Sequence, residues 1–354
     1  MAEGTDTRTQ GGSPGPGASK EPAAGRIFSG MQPSGEAHLG NYLGALRQWV
    51  RLQDEHECFF CIVDQHALTG DFHPETLPTR VFDLAVSFLA VGLDPERSTI
   101  FVQSDVPEHT ELTWLFNAVT PVGDLERMTQ YKDKSARLES IPAGLLNYPI
   151  LQSADILLYR AELVPVGEDQ VQHLELAREV ARRWNHRFGE VFPEPRPILS
   201  TAGRILGLDG GAKMSKSMDN TVRILAEPEE IWERVRTAVT DPQRVRRNDP
   251  GRPEVCNVFT LHGHLTDPVL LPDIEDQCRA GTRGCVDCKR ILADSIGEHF
   301  LEVRERAAEL KANPQRVREI LEAGAVRARK EAERTMTQVR ERMGLTWRSG
   351  VHAG

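Results

Sequence analysis

Arg26-Ile27-Phe28-Ser29-Gly30-Met31-Gln32-Pro33-Ser34-Gly35-Glu36-Ala37-His38-Leu39-Gly40-Asn41 is the stretch whose reading decides the fold. Arg26 to Ser29 opens a strand, and Leu39, Leu43, Leu46 and Val50 line one face of the helix that follows. Gln32 to Asn41 is therefore a strand-to-helix loop. Its glycines let the backbone approach a ligand, and the start of the helix offers free N–H groups and a positive dipole end, which suits phosphate. Alone this is a weak signal, because many such loops only make a tight turn.

The pattern repeats outward from there. Cys58 to Val63 is a continuous apolar run with the character of a buried strand, and Val81, Leu84, Ala85, Phe88 and Leu89 are spaced for a helix packed on a sheet. Thr99 to Val102 reads as the next parallel strand, with a helix opening near Pro107. Helix is expected beyond Pro149 as far as Leu158, a short strand from Leu163 to Val166, and a helix from Asp169 to Asn185 with Val171, Leu174, Ala177 and Val180 inward. The alternation implies an α/β fold, a Rossmann-like parallel sheet of the nucleotide-binding kind.

Strand signal fades from Pro228. Ile231, Val235 and Val239, then Phe300, Val303, Ala307 and Leu310, then Val317, Ile320 and Leu321 are helix-spaced, which places an all-helical domain after a boundary near Arg223. The expected organisation is a disordered tail over residues 1–25, a catalytic domain over 26–222, a helical domain over 223–345 and a flexible end over 346–354. Two domains suit 354 residues of which 39% are apolar.

No segment has the ~18 to 20 consecutive apolar residues of a membrane helix, and the Gly-, Pro- and Ser-rich start has no signal-peptide core, so a cytoplasmic protein is expected. Its cysteines should then be reduced or metal-bound. The net charge of -9 argues mildly against a nucleic-acid partner, yet it hides local basic runs. Six arginines against two aspartates lie between Arg234 and Arg252, and 13 Lys plus Arg against 10 Asp plus Glu between Lys289 and Arg342.

The partner that the first loop needs is Lys213-Met214-Ser215-Lys216-Ser217, flanked by Gly207 to Ala212 and by Met218-Asp219-Asn220. Two lysines three apart on a polar, Gly-flanked loop can hold two ammonium groups on a polyphosphate whose charge shifts toward the leaving group. A mobile loop of this kind can close after binding. The two signatures occurring together, in this order, make chance improbable.

The pair resembles the HIGH-type and KMSKS signatures of class I aminoacyl-tRNA synthetases, and the longer context resembles their bacterial tryptophanyl members from Arg26 to Leu345. The segments that carry this are residues 28–35, Cys61-Ile62-Val63-Asp64-Gln65-His66-Ala67, Leu125-Glu126-Arg127-Met128-Thr129-Gln130, Ala154-Asp155-Ile156-Leu157-Leu158-Tyr159 and residues 164–173. The resemblance implies activation of tryptophan with ATP and Mg2+, transfer to tRNA(Trp) and a homodimer.

An indole ring needs flat or aliphatic walls and one buried acceptor for its N–H, and a site built on that hydrogen bond rejects analogues that cannot make it. By resemblance Asp155 is the acceptor, Phe28, Val164 and Val166 are the walls, and His66 lies nearby. Tyr148, Gln32 and Gln170 surround the ammonium and carboxylate. Gln152 often corresponds to a methionine in tryptophanyl enzymes, while glutamine also occurs in tyrosyl relatives. Against a tyrosyl enzyme, which is the alternative, Phe28 stands where those relatives would offer a tyrosine hydroxyl to the substrate's phenol.

For the nucleotide, the resemblance assigns Lys213, Met214, Ser215, Lys216 and Ser217 to the phosphates, and Gln32, Pro33, Ser34, His38, Gly40 and Asn41 to the first loop. Gly167, Glu168 and Asp169 meet the nucleoside and Ile205 the adenine. No covalent nucleophile is required, since this chemistry is mostly positioning and charge stabilisation. Two further alternatives are a small nucleotidyltransferase and a synthetase-derived binding protein without activity. The helical domain is expected to bind the tRNA, at its anticodon.

Cys58 and Cys61 lie in one apolar strand and read as core. Cys256, Cys278, Cys285 and Cys288 are a possible four-thiolate site for zinc or an iron–sulfur cluster, or four free thiols. Their spacing resembles the four-iron four-sulfur pattern of some tryptophanyl synthetases, although the first gap of 21 residues is about one short.

Overall fold

The computed structural model describes residues 25–70, 72–136, 138–200 and 202–346. The expected N-terminal tail up to residue 24, and the C-terminal end from 347, lie outside the described residues.

Five parallel strands, β1 (Arg26–Met31), β2 (Glu57–Ile62), β3 (Ser98–Val102), β4 (Leu163–Val166) and β5 (Arg196–Leu199), form one sheet in the order β3-β2-β1-β4-β5. The order reverses between β1 and β4, which opens a crevice at their carboxyl ends, the usual ligand position in such sheets. The apolar runs of the sequence are explained by burial on both faces. In β2, Cys58, Phe60 and Ile62 face one core, and Phe59 and Cys61 face the other.

The first core is covered by α1 (Leu39–Asn41), a π turn over Tyr42–Leu46, α2 (Arg47–Leu52) and, beyond α3 (Asp64–Ala67), α4 (Leu77–Ala90). The second is covered by α5 (Glu108–Asn117), α6 (Val122–Glu126), α8 (Ala143–Leu158) and α9 (Val171–Phe188), with α7 (Thr129–Ser135) at its rim. After Arg223 come α10 (Pro228–Val235), α11 (Asn257–Leu265), α12 (Leu271–Arg279), α13 (Cys285–His299), α14 (Leu301–Ala312) and α15 (Pro314–Arg342). No strand occurs there among the described residues, as expected.

Three expectations are corrected. α8 begins at Ala143 rather than beyond Pro149: burial of Leu145 and Tyr148 outweighs the one helical hydrogen bond that Pro149 cannot make. Val239 lies past the end of α10 and is 46% exposed. The edge strand β5 was not expected from its sequence. Arg-Pro-Ile-Leu is mostly exposed and holds a proline, which edges tolerate, so it lacks the apolar alternation of a strand.

The helical region does not stand clear of the sheet. Ala325, Ala328, Ala332, Met336 and Val339 of α15 belong to the second core, and Arg340 pairs with Glu111 of α5 at 2.6 Å. Gly324 makes this approach possible: a Cβ there would lie 1.8 Å from the carbonyl oxygen of Ile100.

Candidate active site

The strand-to-helix loop is held as a rigid ledge. Gly35 sits at φ +94°, which a side chain would strain, and His38 caps α1: its Nδ1 accepts from the Asn41 amide at 3.3 Å while its own amide donates to Asn41 Oδ1 at 3.1 Å. The backbone after the second signature pairs with this ledge, since the Leu39 amide donates to Val222 O at 2.9 Å and the Ile224 amide to Ala37 O at 3.1 Å.

The two signatures meet. The Lys216 ammonium donates to the carbonyl of Ser34 at 2.7 Å and to that of Glu36. Met214 is buried in the first core, with the Gly40 amide 3.2 Å from its sulfur and its own amide on Ile205 O at 3.0 Å. Lys213 reaches Asp169 at 3.4 Å, at the opposite lip of the crevice beside Gly167 and Glu168. Ser215 and Ser217 bond through their hydroxyls at 2.9 Å.

Electrostatics follow from this convergence. Burial, then Lys216 and Lys213, lower His38 to about 4, so its ring is neutral. Burial is also the chief cause that brings Lys216 down to about 8, against the pull of Glu36 and Asp83. The Glu36 carboxylate is itself held by Arg223 at 2.9 Å and by Lys311 of α14 at 2.6 Å.

Deeper in, Asp155 of α8 is 1% exposed. Its Oδ2 accepts from His66 Nε2 at 2.7 Å; its Oδ1 accepts from Gln103 Nε2 at 2.7 Å and from His109 Nδ1 at 2.6 Å. Burial would raise this carboxyl, but the rings of His66 and His109 outweigh it and hold it at about 2. The side chain is therefore an ionised acceptor enclosed by donors at the carboxyl ends of β2 and β3.

Phe28 and Val164 are buried in the same core and Val166 packs against it; Phe28 lies parallel to Tyr159 at 5.5 Å between centroids. Tyr148 bonds His173 Nε2 at 2.8 Å and Gln130 Oε1 at 3.2 Å, with the His66 ring edge-on at 6.4 Å. Gln32 and Ser34 are exposed on the first loop, where Pro33 is buried. Gln152 and Gln170 are half-buried, and Gln170 donates to Asp169 at 3.2 Å.

Some residues at this site were not singled out from the sequence. Gln103 and His109 follow the carboxyl end of β3, a position that marks ligand crevices in open sheets and could have flagged them. Asn220, buried, ties the second signature together: its Oδ1 accepts from the Ser215 amide at 2.8 Å and its Nδ2 donates to Asp209 at 3.0 Å.

All six cysteines are unpaired. Cys58 and Cys61 are buried on opposite faces of β2, as expected, and burial pushes Cys58 up to about 12. Cys288 is likewise pushed up to about 12, first by burial and then by the like charge of Cys256, Cys278 and Cys285, so the four thiols share one neighbourhood. Among the described residues no three His, Cys, Asp or Glu side chains close around a single metal ion.

A family model described as tRNA synthetases class I (W and Y) matches residues 20–301. A tryptophan–tRNA ligase of Deinococcus radiodurans is 52% identical over 325 residues, covering 90% of this chain and 98% of that one. One of Thermotoga maritima is 43% identical over 333 residues, covering 90% and 99%. The crystal structure of a tryptophanyl-tRNA synthetase from Campylobacter jejuni, complexed with ADP and tryptophan, aligns with a TM-score of 0.82 at 38% identity, covering 90% of this chain and 99% of that one. Both signatures, the crevice at the strand reversal and these similarities agree, and the chain belongs to the class I tRNA synthetases (W and Y), among their bacterial tryptophanyl members.

Proposed function

We propose that this site joins the carboxylate of L-tryptophan to the α-phosphorus of ATP, releasing pyrophosphate, and then passes the tryptophanyl group to the 3'-terminal ribose of tRNA(Trp). The enzyme is a tryptophan–tRNA ligase. The observation that carries the reading is the seating of Lys216 on the Ser34 and Glu36 carbonyls at the crevice that leads to the buried Asp155 carboxylate. Charging of tRNA(Trp) with labelled tryptophan, dependent on ATP, tests it.

Within this reading the indole stacks among Phe28, Val164 and Val166 with its N–H on Asp155, beside His66 and Gln152. Tyr148, Gln32 and Gln170 meet the ammonium and carboxylate. The nucleotide lies over Pro33, Ser34 and Gly40, with Gly167, Glu168 and Asp169 at its ribose and Ile205 at its base. His38 and Asn41 shape the first loop. Lys213, Lys216 and Ser217, with Met214 and Ser215 as their hinge, follow the charge onto the departing pyrophosphate. Mg2+, a hard ion carried mainly by phosphate and water oxygens, neutralises the triphosphate when bound, with Asp169 the carboxylate at that lip.

The Lys216 ammonium is protonated below about 8 and neutral above it. In the free enzyme kcat/KM for ATP should therefore fall as the pH rises through about 8. A Lys216→Arg variant, whose guanidinium stays charged, should lack that limb up to about pH 10. An unchanged limb in the variant would assign it to another group.

Residues 223–345 form the tRNA-binding region, with the arginines between Arg244 and Arg252 toward the anticodon. The enzyme works as a homodimer in the cytoplasm. Six unpaired cysteines suit a reducing compartment, and among the described residues no helix is long and apolar enough to cross a membrane.

Cys256, Cys278, Cys285 and Cys288 are the residues that would hold a four-iron four-sulfur cluster, or a zinc ion in its place. The chemistry of the donor set fits: four cysteine sulfurs share one neighbourhood, and four thiolates are the ligand set of such a cluster. Its positive iron centres would favour the thiolates there and brace the loop between α12 and α13 against Arg244, whose guanidinium lies 3.6 Å from the Cys278 sulfur. Anaerobically purified enzyme should contain about four irons per chain with matching sulfide. Protein without iron or zinc would reject both the cluster and the zinc version.

A further inference from the structure

Asp155 is oriented by Gln103 and His109 as well as by His66 of the ring pocket. A carboxylate has about four lone-pair positions, two on each oxygen. Gln103 and His109 occupy both on Oδ1, at 2.7 and 2.6 Å, and His66 occupies one on Oδ2, at 2.7 Å. One acceptor position remains, and it is on Oδ2.

The His109 tautomer is set by its other side. A carboxylate only accepts, so Nδ1 carries the proton, and Nε2 stands 2.8 Å from the Tyr159 hydroxyl. Burial, then Cys61, Asp155 and Glu108, raise Tyr159 well above the usual phenol range, so it stays a donor. The Tyr159 ring is clamped between Phe28 at 5.5 Å and Phe59 at 4.6 Å, and His109 has no exposed surface.

We propose that His109, fixed by Tyr159, is a positioning residue that together with Gln103 saturates Oδ1 of Asp155 and so presents Oδ2 to the indole N–H. This rests on Asp155 being the indole acceptor. The same relay keeps the carboxylate ionised in a buried place, where it would otherwise take up a proton. The charged groups that act on it are His66 of α3 and His109 of α5; Cys61 of β2 and Tyr159 feel its charge in turn, Cys61 also that of Asp64 and Asp105 and Tyr159 also that of Glu108.

The test compares His109→Phe with His109→Asn in tryptophan-dependent pyrophosphate exchange. Asparagine can place an amide N–H where Nδ1–H stood; phenylalanine cannot. His109→Phe should raise KM for tryptophan between about 10- and 100-fold, the range that orienting partners of a ligating side chain carry. KM for ATP should stay within about twofold of the native value, and the acid limb of kcat/KM for tryptophan should move upward by about one pH unit or more as Asp155 becomes easier to protonate. His109→Asn should recover most of both effects. Gln103→Leu, which removes the other Oδ1 donor, should act in the same direction and serves if His109→Phe does not fold.

Folded variants with an unchanged KM for tryptophan and an unchanged acid limb would overturn the inference, as would an equal rise in both KM values. Asp155→Asn separates the two layers. If it too leaves KM for tryptophan unchanged, the indole-acceptor reading fails and this inference with it. If it raises KM while His109→Phe and Gln103→Leu do not, only the relay fails.

Discussion

Replacing Lys216 by alanine should lower the rate of tryptophan-dependent pyrophosphate exchange by about 10^2- to 10^3-fold, with little change in KM for tryptophan. The magnitude is that of one preorganised donor removed from a developing negative charge, roughly 2.7–4 kcal/mol. Without ligand, the ammonium rests on the Ser34 and Glu36 carbonyls, at the turn that Gly35 makes possible with φ +94°. A triphosphate arriving there offers the same ammonium a stronger acceptor, so the side chain needs only a small displacement to engage it. Fold should be unaffected, because the loop is anchored by buried Met214 and Asn220 rather than by Lys216. A Lys216→Ala enzyme with native turnover would take the loop out of the chemistry.

Asp155→Asn is the second large effect: kcat/KM for tryptophan should fall by about 10^3-fold or more, while KM for ATP, read at saturating tryptophan, stays native. A site that hydrogen-bonds its substrate can discriminate by ~10^4 to 10^5 against a ligand or site lacking the partner. The asparagine amide nitrogen would face a donor, His66 or the Gln103 and His109 pair, at distances now of 2.6–2.7 Å. Each donor left unpaired in this buried place costs about 1–3 kcal/mol. A lowered melting temperature should therefore accompany the loss, and thermal unfolding read beside the kinetics separates the two. Native affinity for tryptophan in a folded Asp155→Asn enzyme would remove the residue from ring recognition.

The sheet and the meeting of the signatures were legible in the sequence because their signals are local. Continuous apolar runs such as Cys58 to Val63 are long enough to mark buried strands, and two lysines on a glycine-flanked loop advertise phosphate chemistry without knowledge of the fold. β5 was not legible, because an exposed edge strand with a proline carries no apolar period. The environment of Asp155 was only half legible. The carboxylate itself could be named, but Gln103, His109 and Tyr159 come from three elements separated by more than fifty residues overall, and it is the packing of α5 against α8 that brings them together. Asn220 was read only as a flank of the second signature for the same reason: a lone asparagine after a lysine loop gains meaning only when the loop folds back on it. The return of α15 across β3 likewise depends on Gly324, a single small residue in an otherwise ordinary helix.

The central claim is that one carboxylate selects the ring while two ammonium groups act on the triphosphate. It is tested most directly by exchange of labelled pyrophosphate into ATP, run with each of the twenty amino acids in turn. Exchange above background is expected with tryptophan alone, lowered about 10^2- to 10^3-fold in Lys216→Ala. Exchange driven by tyrosine, or none with any amino acid, would contradict it.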